Sequence, residues 1–125
     1  MPPDDKETST MVRSDGTYAS LPLKKDTINI TIAQTRVNGV DGKNPAKDIK
    51  NNLDYMLECI DIAQGYGGRS DLICFHEFPI VGFSNWSREE HYRIAIEVPG
   101  PETEEIGKKC QDYGCYVVFG TYAKD

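Results

Sequence analysis

The stretch that decides the fold is residues 71–83, DLICFHEFPIVGF. It begins with an apolar run of strand length, residues 72–75. A continuous run of this kind is typical of a strand covered on both faces, as in parallel sheets with helices outside. The run is followed by a charged carboxyl group, Glu77, and the chain then turns through Phe78 and Pro79. The stretch therefore predicts a buried strand that carries one glutamate to its tip.

Strand and helix patterns alternate on both sides of this strand. Alternating β-branched residues predict a first strand at residues 27–35, and apolar gaps of three and four then predict a helix. That helix begins with Asn44 as N-cap and Pro45 at its first position, and it ends at residues 65–68. The segments that follow the central strand are a short helix at 87–95, a helix from Pro101 with its C-terminal stop at Gly114, and a third strand at 115–122. Helices between strands predict an α/β fold with right-handed crossovers and parallel pairing.

Composition excludes several classes of protein. The chain has 125 residues, 14 basic against 20 acidic side chains and a net charge of −6. Because there is no basic stripe with interleaved aromatic residues, we predict no nucleic-acid partner. No apolar stretch reaches membrane-spanning length and the N-terminus lacks a signal-peptide core, so we predict no membrane partner and a cytoplasmic location.

The cysteines and the N-terminal segment favour the same class of protein. The four cysteines contain no C-x-x-C pair and form no zinc pattern with the two histidines, so we expect reduced, buried thiols and no metal. They are Cys59, Cys74, Cys110 and Cys115. Residues 1–26 have few large apolar groups and are predicted to be a flexible arm.

Glu77 has two interpretations at the level of the residues alone. In open α/β sheets, reactive groups collect outside the carboxyl ends of the strands. A carboxylate that leaves an apolar strand is poorly solvated, which raises its pKa towards the range of a general base. The alternative is a glutamate that ends the strand and simply reaches water.

Five features in order along residues 28–125 resemble the carbon–nitrogen hydrolase family, also called the nitrilase superfamily. The features are Ala33-Gln34 at the end of the first strand, Asn52-Leu53 with Ala63 and Asp71-Leu72-Ile73, Glu77 followed by Gly82-Phe83, Pro99-Gly100-Pro101-Glu102-Thr103, and a strand that ends at Gly120. The resemblance implies an α-β-β-α sandwich and a homo-oligomer that acts on a small-molecule amide, nitrile or carbamoyl substrate. It implies no cofactor.

The family's active site combines a glutamate, a lysine and a cysteine. The resemblance implies that Glu77 is the general base and that the residue after it, Phe78, contacts the substrate. The lysine and the cysteine belong to later blocks, so we expect residues 27–125 to be the N-terminal part of the domain and to be inactive alone. Lys124 lacks the expected surroundings and is not assigned as the lysine.

Two residues beside Glu77 keep alternative interpretations. Cys74 follows an isoleucine, as the family's nucleophile does, but only one strand–helix unit precedes it, so a packed thiol is favoured. His76 stands where the family commonly has proline. It is either a hydrogen-bonding partner that tunes the base or a strand-end residue with a local partner.

Two further hypotheses come from other functional classes. One is a non-catalytic α/β binding or interaction module in which Glu77 has no chemical role. The other is a glutamine-amide hydrolase domain that supplies ammonia to a synthetase. The polypeptide beyond Asp125 distinguishes them, because hydrolysis needs a lysine and then a cysteine in later strand–helix units.

Overall fold

Three strands and three helices make up the part of the chain that the computed structural model describes, which is residues 13–17, 24–66 and 68–125. In chain order they are β1 (Ile30–Ala33), α1 (Ala46–Gly65), β2 (Leu72–Phe75), α2 (Arg88–Ile94), α3 (Pro101–Tyr113) and β3 (Tyr116–Val118). The predicted α/β class is confirmed. Most of the predicted arm at residues 1–26 lies outside the described residues.

The sheet is parallel throughout, with β2 between β1 and β3. Thr31 pairs with Ile73, and Ile73 pairs with Val117 on the other side. The outer strands are shorter than the sequence predicts, because the central strand offers only four residues for pairing. The predicted spans 27–35 and 115–122 are therefore too long, while the predicted central strand at 72–75 is confirmed.

The helix ends follow local sequence signals with one exception. Ser87 caps α2 in a reciprocal box, in which its hydroxyl accepts the Glu90 N–H at 3.2 Å and the Glu90 carboxylate accepts the Ser87 N–H at 2.8 Å. Gly114 ends α3 with φ +63°, as its position predicts. The exception is Asn44. The N-cap of α1 is Pro45, whose carbonyl oxygen accepts the Ile49 N–H at 2.9 Å as the first hydrogen bond of the helix. The predicted N-cap is therefore one residue early.

The core lies between one face of the sheet and the helices. It joins α1 and α3 to the centre of β2, where Ile73 is fully buried, and extends under the loop that follows Glu77. The largest fully buried side chains are Met56, Ile60, Ile73, Ile80, Val81 and Ile94. The loop after Glu77 is thus part of the core and not a loose connection.

The opposite face of the sheet is apolar and is not covered by any described residue. Ile30, Ile32, Tyr116 and Val118 are 51%, 71%, 79% and 51% exposed. The strand register places them in rows with Leu72 and Cys74 of the central strand. The sequence predicts a sheet covered on both faces, but within the described residues only one face is covered. We call these six side chains the open sheet face.

Candidate active site at the carboxyl edge of the sheet

Glu77 lies two residues beyond the end of β2, at the carboxyl edge of the central strand. This is the position that the sequence predicts for it. Its side chain is exposed, so the prediction of a partly dry carboxylate is wrong for the described part of the chain. The reason is its place at the sheet edge, where no described residue covers it.

The backbone around Glu77 is tightly fixed by the segment that follows β3. The Gly120 N–H donates to the carbonyl oxygen of His76 at 3.4 Å. A Cβ atom at position 120 would lie only 2.3 Å from the carbonyl oxygen of Glu77, far inside van der Waals contact. Only glycine allows this approach, so the segment after β3 fixes the height of Glu77 above the sheet edge.

The loop that follows Glu77 is held by a buried amide on α1. Asn52 is 7% exposed, and its Nδ2 donates to the carbonyl oxygens of Asn38 at 3.0 Å and Ile80 at 2.8 Å. It therefore joins the loop after β1 to the loop after Glu77. The signal in the sequence is a polar residue beside the apolar stripe of α1, and Asn52 is one of the residues that carry the family resemblance.

The turn within that loop also requires a glycine. The Gly82 N–H donates to the carbonyl oxygen of Phe78 at 3.1 Å, which closes one turn. Gly82 has φ +68°, and a Cβ atom there would lie 2.1 Å from the Asn38 carbonyl oxygen. Both the backbone conformation and the lack of space explain the glycine.

His76 has local partners on both sides of the site, as one of its two interpretations predicts. Its Nε2 lies 2.9 Å from the Thr35 hydroxyl, just beyond β1. Its Nδ1 accepts the Phe78 N–H at 3.2 Å. The ring therefore bridges the end of the first strand and the peptide that follows Glu77.

Phe78 belongs to a group of aromatic side chains next to Glu77. Its ring stacks on Tyr122 at 4.9 Å between centroids and lies 5.9 Å from Phe83, which is 64% exposed. Sequence reasoning missed Tyr122, because it is distant along the chain. Phe78 itself is half-buried and packs against the hydrophobic core.

Two other aromatic residues near Glu77 in sequence have different surroundings. Trp86 is half-buried and donates its indole N–H to the Val40 carbonyl oxygen at 3.1 Å. Tyr92 is 71% exposed, and the Lys124 ammonium lies 5.9 Å from its ring centroid. Lys124 is therefore engaged with α2, and the lysine of the predicted catalytic set stays unassigned.

The four cysteines are free thiols with different degrees of burial. Cys115 is buried, as predicted, whereas Cys59, Cys74 and Cys110 are half-buried, so the prediction of buried thiols is met only in part for these three. Cys74 belongs to the open sheet face. Within residues 13–17, 24–66 and 68–125 no three His, Cys, Asp or Glu side chains come together as metal ligands.

Glu77 thus lies at the carboxyl edge of a parallel α/β sheet, the edge at which ligands bind in open α/β folds. The chain belongs to the carbon–nitrogen hydrolase family, because the family model described as Carbon-nitrogen hydrolase matches residues 29–125. The predicted family is confirmed, and with it the general reaction, hydrolysis of carbon–nitrogen bonds. A search of solved structures found no match.

The described helices are all too short or too polar to cross a bilayer.

Proposed function

We propose that this chain supplies the general base, Glu77, of an enzyme that hydrolyses a non-peptide amide, nitrile or carbamoyl group. The observation that carries the proposal is the place of Glu77, at the carboxyl edge of the central strand with its backbone fixed from both sides. Family membership supports the type of bond that is broken. The proposal includes the cytoplasmic location that the sequence predicts and the homo-oligomer that the family resemblance implies.

In the proposed mechanism, the Glu77 carboxylate removes a proton from a cysteine thiol. The thiolate attacks the carbon of the amide or nitrile, and a lysine stabilises the negative charge that develops there. From an amide the nitrogen leaves with a proton returned by Glu77, and a thioester remains. From a nitrile the attack gives a thioimidate, which takes up water before it releases ammonia and becomes the same thioester. Water, activated by the same carboxylate, then releases the acid and the thiol. We place the lysine and the cysteine in polypeptide beyond residue 125.

The open sheet face supports a larger domain around the site. Four of the six side chains of this face are exposed and the other two are half-buried. Such an exposed apolar face is unfavourable in water and marks contact with further polypeptide. The proposed α-β-β-α sandwich places a second sheet on this face. The same additional polypeptide would exclude water from Glu77, which the described residues leave exposed.

Phe78 is proposed to form part of the substrate wall. It follows Glu77 directly in sequence, and its ring centroid lies 5.9 Å from that of the exposed Phe83. Small-molecule sites are mostly apolar with a few polar groups, which this arrangement resembles.

The exposure of Glu77 favours one rival, a non-catalytic α/β module. The experiment that separates the two uses protein that carries the whole family domain, called the complete protein below. The Glu77→Gln variant should lose covalent acylation and turnover by at least about a hundredfold, because a general base contributes that much or more. Acylation is followed by mass spectrometry with a panel of small amides and nitriles, and turnover by ammonia release.

The matched control is Glu58→Gln, which makes the same change of charge on the exposed surface of α1. It should leave acylation unchanged. Equal activity of Glu77→Gln and wild type would refute the assignment of the base. Absence of acylation in the wild type across the whole panel would favour the module.

A further inference from the structure

The His76 ring connects two segments that lie on either side of Glu77. One connection runs from Nε2 to the Thr35 hydroxyl at 2.9 Å, and the other from the Phe78 N–H to Nδ1 at 3.2 Å. All three residues are half-buried, while Glu77 itself is exposed. The His76 ring thus links the Phe78 peptide, which follows Glu77 directly, to the residue just beyond the end of β1.

The two contacts determine where the proton of His76 lies. Because Nδ1 accepts an N–H from the backbone, it has a free lone pair and carries no proton. The single proton of a neutral imidazole is then on Nε2, which donates to the Thr35 hydroxyl oxygen. A charged ring would direct an Nδ1–H at the Phe78 N–H, and two donors cannot share a hydrogen bond.

His91 provides the opposite case within the same chain. Its Nδ1 lies 2.9 Å from the Ser87 carbonyl oxygen, which can only accept. Nδ1 of His91 therefore carries the proton. The two histidines are expected to be different tautomers, and each serves as a reference for the other.

We propose that His76 is a positioning residue for Glu77 and acts as a neutral, Nε2-protonated bridge. The contact from Nδ1 to the N–H two residues later closes a side-chain turn around residue 77, which restricts the backbone torsions of the glutamate. The contact to Thr35 fixes the ring against the end of β1. The Gly120 N–H on the His76 carbonyl completes the fixation from the β3 side.

The catalytic meaning of this bridge rests on the proposed function, but the bridge itself has a direct readout. Nitrogen NMR of the complete protein labelled with ¹⁵N-histidine reports which ring nitrogen carries the proton. Signals are assigned by their loss in His76→Asn and His91→Asn. We expect an Nε2-protonated ring for His76 and an Nδ1-protonated ring for His91. An Nδ1-protonated or charged His76 in the folded protein at neutral pH overturns the proposal.

Three variants separate the two contacts. His76→Phe removes both hydrogen bonds and keeps a ring of similar size. His76→Asn keeps an acceptor for the Phe78 N–H, because asparagine closes the same type of turn. It loses the hydrogen bond to the Thr35 hydroxyl. Thr35→Val removes only the hydroxyl. Hydrogen exchange at the Phe78 amide should accelerate at least tenfold in His76→Phe and stay near wild type in His76→Asn.

Turnover should follow the same order. His76→Phe should lower kcat about tenfold to a hundredfold with little change in KM, because a small misplacement of the base costs rate and not binding. His76→Asn should recover most of that loss, and Thr35→Val, which keeps both the ring and the Phe78 contact, should lose no more than His76→Asn does. A kcat that stays at the wild-type value in His76→Phe, or that falls equally in His76→Phe and His76→Asn, overturns the positioning role.

Failure of this proposal is distinguishable from failure of the proposed function. If Glu77→Gln stays active while the His76 tautomer is as expected, the base assignment fails and the bridge stands as a structural feature. If Glu77→Gln is inactive while His76→Phe keeps full kcat and a protected Phe78 amide, the base stands and the positioning role is wrong.

Discussion

Gly120 shows how one residue fixes the position of another that is distant along the chain. Because a Cβ atom there would lie 2.3 Å from the Glu77 carbonyl oxygen, Gly120→Ala must displace the backbone of the glutamate. We expect the variant to lower the free energy of unfolding of the complete protein by about 1–3 kcal/mol, the usual cost of overpacking. Urea unfolding measures this change.

The control for this prediction is Gly107→Ala. Gly107 lies within α3, and apart from the helix's own neighbouring backbone no atom lies within 4 Å of a Cβ placed there. Alanine is a better helix former than glycine, so this variant should raise the free energy of unfolding by about 0.5–1 kcal/mol. A Gly120→Ala variant that behaves like Gly107→Ala would show that the close approach at Glu77 is relaxed in solution.

At the scale of elements, α1 and α3 are joined on their outer side by one carboxylate. The Lys109 ammonium lies 2.8 Å from both carboxylate oxygens of Asp61, and the Tyr113 hydroxyl donates to one of them at 2.6 Å. These hydrogen bonds lower the pKa of Asp61 below its usual range, and the bond from Lys109 has the larger effect. The charged form of Asp61 therefore favours the folded state.

The sign of the pH effect follows from this shift. A carboxyl group whose pKa is lower in the folded than in the unfolded protein stabilises the fold above its unfolded pKa. That contribution is lost as the pH falls through the folded value, below about pH 4. Asp61→Asn should lower the melting temperature at neutral pH, and its difference from wild type should shrink below about pH 4.

Thermal unfolding followed by circular dichroism at several pH values checks the prediction for Asp61. The control is Asp54→Asn, which removes a pair with Lys50 within α1 only, at 2.7 Å and on the exposed surface. Asp54→Asn should change the melting temperature less than Asp61→Asn does, because the Lys50–Asp54 pair lies within one helix and connects no two elements. A larger effect at Asp54 would contradict the role of Asp61 between the helices.

At the scale of the whole molecule, the open sheet face determines how the chain behaves in isolation. Ile32→Lys should reduce self-association of residues 1–125 expressed alone, because it places a charge on an exposed apolar surface. In the complete protein the same change should be strongly destabilising, since the proposed second sheet would bury that charge. Light scattering and thermal unfolding measure the two effects.

The control on the helical side is Ile62→Lys. Ile62 is 50% exposed on α1, away from the open sheet face. It should have little effect on the stability of the complete protein, as is usual for surface changes. If Ile32→Lys is equally harmless there, the open sheet face is not covered by further polypeptide and the proposed sandwich is wrong.

The sequence by itself determined the local features of this protein. The apolar run at β2, the helix ends at Ser87, Pro101 and Gly114, and the place of Glu77 all follow from patterns within a few residues. Such patterns are reliable because strand and helix periods and capping groups act over short distances along the chain.

The tertiary structure alone decided which distant residues meet at the glutamate. Thr35, Asn52, Gly120 and Tyr122 come from three different parts of the chain, and their approach to residues 76–82 depends on strand register and loop packing. The exposure of Glu77 was likewise decided there and not by the apolar strand before it. A sequence pattern gives the chemistry of a side chain, but the solvent and the contacts around it depend on which segments the fold brings together.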